Sequence, residues 1–96
     1  MKIHELFRSQ AQTFSFEFFP PKTPADAEEL FVRAQELQPL RPSFISVTYG
    51  AGGSTRRNTI DLVCRFQAEL GMLGMAHLTC VGHSQAELRD VLTELK

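Results

Sequence analysis

The chain has no tryptophan, one tyrosine and two cysteines, and its ten basic side chains are balanced by eleven acidic ones to a formal net charge of -1 over 96 residues. Each shortage excludes something. Cys64 and Cys80, each set among apolar neighbours, are too few for a disulfide framework or a metal cluster, so they read as reduced thiols in the core. Arg56 and Arg57 are the only adjacent basic residues, and without a basic stripe interleaved with aromatics nucleic acid is not an expected partner. No apolar run approaches the roughly 20 residues of a membrane span. The N-terminal Met1-Lys2-Ile3-His4-Glu5 lacks the apolar stretch and cleavage site of a signal peptide, so the default compartment is the cytoplasm. The length suits one small domain with a modest core.

Phenylalanine is what the sequence has in quantity, and four of the eight fall between Thr13 and Pro21. Thr-Phe-Ser-Phe-Glu-Phe-Phe-Pro-Pro alternates with period two, predicting a strand with Phe14, Phe16 and Phe18 on one face and Thr13, Ser15 and Glu17 on the other, ended by Pro20 and Pro21. Glu17 is the anomaly. A carboxylate near the end of so apolar a strand is either solvated, paired, or kept in a partly dry site, and the last two make it a candidate for chemistry.

The rest of the chain repeats one rhythm. Lys2 to Gln12 suits a short leading helix through Ile3, Leu6 and Phe7. Thr23, Pro24 and Asp26 supply an N-cap, a first-turn proline and an acid at N3 for a helix to about Gln38, with Ala27, Leu30, Phe31, Ala34 and Leu37 as its apolar stripe. Ser43 to Tyr49 predicts a second strand, with Ile45 and Val47 on one face and Phe44, Ser46 and Thr48 on the other. The Gly50-Ala51-Gly52-Gly53 turn leads to a helix capped by Ser54 or Thr55. Ile60, Val63, Cys64 and Leu70 are its expected buried side, widened by Leu62 and Phe66, and Gly71 its stop. A third strand is expected over Met75 to Val81, then a capping box at Ser84 and Glu87 opens a helix with Leu88, Val91, Leu92 and Leu95 inward. Alternation of this kind specifies an α/β fold of three successive βα units with parallel strands.

The strand faces locate the candidate site. One face is apolar throughout (Phe14, Phe16, Phe18; Ile45, Val47; Ala76, Leu78, Cys80) and suits the crossover helices. The other collects Ser15 and Glu17, Ser46 and Thr48, His77 and Thr79. In an open doubly wound sheet that face would also be apolar, whereas in a barrel it is the lumen, whose C-terminal strand ends build active sites. Glu17, Thr48 and His77 lie near those ends. His77 alone would suit a satisfied core histidine, and the glycine-rich turn lacks both the G-x-G-x-x-G spacing and a P-loop lysine. Arg56 and Arg57 read mainly as solvated cations.

Ser15-Phe16-Glu17-Phe18-Phe19-Pro20-Pro21-Lys22, Phe44-Ile45-Ser46-Val47-Thr48-Tyr49-Gly50-Ala51-Gly52-Gly53 and His77-Leu78-Thr79-Cys80 together resemble methylenetetrahydrofolate reductase, in order and over nearly the whole chain. The resemblance implies a (β/α)8 TIM barrel carrying FAD, which takes a hydride from NADH or NADPH and passes it to 5,10-methylenetetrahydrofolate, giving 5-methyltetrahydrofolate. It implies that Glu17 is the catalytic acid assisting opening of the folate's five-membered ring, that Thr48 lies close to flavin and nicotinamide, and that Tyr49, Ala51 and His77 contact the flavin. It implies no metal, a small-molecule folate substrate, and possible homo-oligomers of the full-length enzyme. Such a barrel needs about 250 residues and eight units. Residues 1–96 are therefore expected to be the N-terminal fragment of the barrel, lacking the family's Arg-Gly-Asp loop and most folate contacts, and inactive alone. A non-catalytic nucleotide-binding module using the Gly50 to Gly53 turn, or an interaction fragment, is the competing expectation. The module would tolerate Glu17→Gln and fail on bulky changes at Gly52.

Overall fold

The computed structural model describes residues 2–48 and 56–96. Helix α1 (Ile3–Ser9) is followed by β1 (Ser15–Phe18), α2 (Pro24–Leu37) with a 3-10 turn at Gln38–Leu40, β2 (Phe44–Val47), α3 (Arg56–Leu70), β3 (Gly74–Ala76) and α4 (Gln85–Leu95). The strands form one parallel sheet in the order β1-β2-β3, with Glu17 opposite Ser46 and Ser46 opposite Met75. Among the described residues the sheet is open at both edges. The α/β class and the three βα units are as the alternation specified.

The local signals account for the helix starts. Thr23 Oγ1 accepts from the Asp26 N–H at 3.1 Å, and Pro24 occupies the first helical position, where its missing N–H is no loss. At α4 the box is reciprocal: Ser84 Oγ accepts from the Glu87 N–H at 3.2 Å and Glu87 Oε1 from the Ser84 N–H at 3.4 Å. At α1 the Lys2 N–H donates to the Glu5 carboxylate at 2.6 Å. Gly71, at φ 64°, turns the chain out of α3 in the left-handed region where glycine meets no Cβ penalty.

The core lies on the helix side of the sheet, where Ile45 and Val47 pack with Phe31, Ala34, Leu62, Val63, Phe66, Leu70 and Met72, with Phe18 and Ala76 packed against them. Phe66, fully buried, is its centre: its ring stacks on Phe31 at 6.2 Å and meets Phe18 at 6.3 Å. Over the rim, the Arg65 guanidinium sits 4.1 Å from the Phe31 ring centroid and hydrogen-bonds Glu69 and Glu28, clasping α3 to α2. Gly74 lets β3 approach α3 closely. A Cβ there would lie 2.6 Å from Val63 Cγ1 and 3.0 Å from the Val63 carbonyl oxygen. Val63 is branched and pinned in the core, so Gly74→Ala is expected to destabilise the fold by about 1–3 kcal/mol. An unchanged urea midpoint would show that β3 gives way freely.

Several expectations change. Cys64 and Cys80 are exposed rather than buried. Position 64 falls on the outer side of α3, whose inward arc is set by Thr59, Ile60, Leu62, Val63, Phe66 and Leu70, and Cys80 follows a strand that has already ended. The third strand stops at Ala76 instead of Val81. The His77 N–H still donates to the Val47 carbonyl at 3.0 Å, but β2 offers no further described ladder. Phe14 precedes β1 and is 66% exposed, and Leu92 turns outward on α4, leaving Val91 as its buried anchor. Helix α1 is shorter than its apolar spacing allowed, ending at Ser9. It packs Phe7 edge-on against Phe44 at 6.3 Å, covering the N-terminal end of the sheet's polar face.

Candidate functional site

The polar face of the sheet is uncovered at its C-terminal end, and parallel register carries the predicted residues there. Glu17 is the third of the four β1 residues, Ser46 lies beside it on the central strand, and His77 follows β3 directly. The His77 Nε2 is 2.8 Å from Glu17 Oε1. Ser46 Oγ donates to the same oxygen at 3.4 Å. Of the three expectations for Glu17, the structure realises pairing together with partial solvation: its side chain is 54% exposed and that of His77 41%. A carboxylate has no proton to donate, so the shared proton belongs to His77 Nε2 whenever Glu17 is ionised.

Ser46 is 4% exposed, one of two buried polar residues among those described, and it is the member of the site that face-sorting placed correctly without singling out. Its distinguishing signal was position alone, a hydroxyl on the middle strand opposite the only acid of β1. Thr48, two residues on, shares the face. Its backbone is held from both sides: the N–H donates to the Phe18 carbonyl at 2.9 Å, and its own carbonyl accepts from Thr59 Oγ1 at 3.2 Å. Thr59, fully buried at the start of α3, thus fixes the point where β2 leaves the sheet. Asn58 does the same for the loop after β1, its Nδ2 donating to the Pro21 carbonyl at 3.1 Å. Neither anchor was signalled by apolar periodicity, because both are polar side chains bonding backbone carbonyls.

Tyr49, Ala51 and the glycine-rich turn lie outside the described residues. Arg57 does not turn to the polar face. It pairs with Asp61 at 2.8 Å and with Glu94, tying α3 to α4, and the hydrogen bond it donates to Glu94, then that to Asp61, raises its pKa above the usual arginine value. Among the described residues no three histidine, cysteine or acidic side chains gather as metal ligands, and no helix is long and apolar enough to cross a membrane.

Residues 2–96 match the family described as methylenetetrahydrofolate reductase. The chain is 38% identical over 95 residues to the probable methylenetetrahydrofolate reductase (NADH) of Oryza sativa subsp. japonica, covering 99% of this chain and 16% of the relative. It is 45% identical over 84 residues to methylenetetrahydrofolate reductase (NADH) 1 of Arabidopsis thaliana, covering 83% and 14%. It is 40% identical over 77 residues to the 5,10-methylenetetrahydrofolate reductase of Buchnera aphidicola subsp. Acyrthosiphon pisum, covering 80% and 26%. The chain therefore spans about a quarter or less of the length of the curated relatives it matches.

Proposed function

Because the chain belongs to the methylenetetrahydrofolate reductase family, we propose that it forms the first three βα units of a (β/α)8 barrel that reduces 5,10-methylenetetrahydrofolate to 5-methyltetrahydrofolate with NAD(P)H through bound FAD. The observation that carries this reading is the convergence of His77 and Ser46 on Glu17 at the open end of the sheet's polar face. This supports the reading, because a barrel gathers its catalytic groups at the C-terminal ends of its strands.

The residues fit the cofactor. A half-exposed imidazole and the Thr48 end of β2 border the carboxyl on an uncovered polar face, while Phe18, Ile45 and Val47 are committed to the helix side. His77, Thr48, Tyr49 and Ala51 would hold the flavin, and FAD when bound would supply the hydride chemistry between nicotinamide and folate. Glu17 in its protonated form gives a proton to the folate nitrogen that leaves the bridging carbon. That carbon–nitrogen bond opens to an iminium ion, and Glu17 is left as the carboxylate, ready to accept again from His77 and Ser46. The Thr59 and Asn58 anchors hold the two loop bases still, so that acid and binding groups keep one geometry.

In this reading the barrel is cytoplasmic and takes no metal. Its first three units do not perform the reaction by themselves, since the remaining strands complete the pocket. NADH is the first donor to test, as the names of the plant relatives carry it. The test is gel filtration of the full-length protein after incubation with FAD, followed by NADH oxidation with and without methylenetetrahydrofolate. Retained flavin absorbance and folate-dependent oxidation are the expected results. A flavin-bearing protein indifferent to the folate would overturn the substrate, and a colourless one the cofactor.

A further inference from the structure

Both donors that reach Glu17 bond the same oxygen, Oε1: His77 Nε2 at 2.8 Å and Ser46 Oγ at 3.4 Å. Among the described residues Oε2 has no hydrogen-bond partner. One donor lies on the central strand and the other just past β3, and Ser46 is the most buried of the three, with Glu17 beside it on one side and Met75 on the other. An oxygen that already accepts two hydrogen bonds is a poor place for a proton, so protonation of Glu17 falls on Oε2. With Nε2–H committed to Glu17, the neutral imidazole of His77 has its lone pair on Nδ1, the ring atom left for a ligand's N–H or O–H.

Resting on the reading of Glu17 as the acid, we propose that Ser46 and His77 are positioning residues that clamp Oε1 and thereby make Oε2 the oxygen that delivers the proton to the substrate. His77 then serves both neighbours at once, Glu17 through Nε2 and the bound ligand through Nδ1.

The discriminating variants are Ser46→Ala and Ser46→Thr in the full-length protein, read by rapid mixing of the flavin-reduction and folate-reduction halves separately. Ser46→Ala is expected to slow the folate half about 2-fold, the lower end for one hydrogen bond, as its 3.4 Å length implies, with KM for the folate and the flavin half unchanged. Ser46→Thr, which keeps the hydroxyl on a strand that tolerates branching, is expected to restore the rate. Equal folate rates in wild type and Ser46→Ala, or a threonine variant as slow as the alanine one, would overturn the clamp while leaving the proposed reaction standing. A wild-type protein that never consumes the folate would instead sink the reaction. For either contingency, or if Ser46→Ala fails to fold, nitrogen NMR of histidine-labelled protein decides the geometry directly. The neutral His77 ring should carry its proton on Nε2 in wild type and lose that preference in Glu17→Ala, and a ring protonated on Nδ1 in wild type would overturn the proposal.

Discussion

Glu17→Gln is expected to lower folate reduction by the full-length protein about a hundred- to ten-thousand-fold, the usual contribution of a positioned general acid. Glutamine preserves the shape, and its carbonyl oxygen can still accept from His77 Nε2 and Ser46 Oγ where Glu17 Oε1 now does. What it cannot do is release an acidic proton. The loss should therefore fall on kcat of the folate half, with flavin retention and flavin reduction by NADH left close to wild type. Rapid-mixing measurements of the two half-reactions read this split. If both halves fall together, Glu17 is a structural or cofactor-binding group, and if neither falls, the acid lies elsewhere.

Phe66→Ala is expected to cost about 3–5 kcal/mol, the range for emptying a buried aromatic site. Domains of this size hold on the order of 5–15 kcal/mol in total, so the variant should lose a large part of its cooperative unfolding transition. Phe66 has no exposed surface and stacks on Phe31 from α2 while touching Phe18 of β1, so one ring braces two elements from a third. The consequence reaches the site. Phe18 follows Glu17 on an edge strand whose described neighbour is β2, so loosening the Phe18 contact frees the carboxyl's own strand. Leu92→Ala, on a side chain 56% exposed, is the contrast and should change stability by less than about 0.5 kcal/mol. Urea unfolding of both variants checks the pair, and a Phe66→Ala midpoint equal to wild type would show that the core recloses around the missing ring.

Much of this fold was legible because its signals are local. The caps at Thr23 and Ser84 work through side chains bonding backbone three residues away, and Gly71 acts through its own φ. Strand alternation separated Ile45 and Val47 from Ser46 and Thr48, and a one-residue error would have inverted both faces. The same alternation put Glu17 and His77 on one side, although their strands are not hydrogen-bonded neighbours.

What local pattern could not supply was extent and partnership. The length of β3 is set by its pairing with β2, which the alternation of a single strand does not reveal. Cys64, Phe14 and Leu92 carry the apolarity of core residues, but which arc of a helix or which strand end meets a neighbour is decided by packing. The residues themselves determined the α/β order, the polar face and the candidate acid. Only the tertiary structure decided that Ser46 and His77 meet on one oxygen of Glu17 and that Thr59 and Asn58 bond the backbone carbonyls of Thr48 and Pro21. The Ser46 and Asn58 contacts join residues 29 and 37 apart, that of His77 residues farther apart still, and that of Thr59 a helix to the end of the strand before it, across distances that periodicity does not measure.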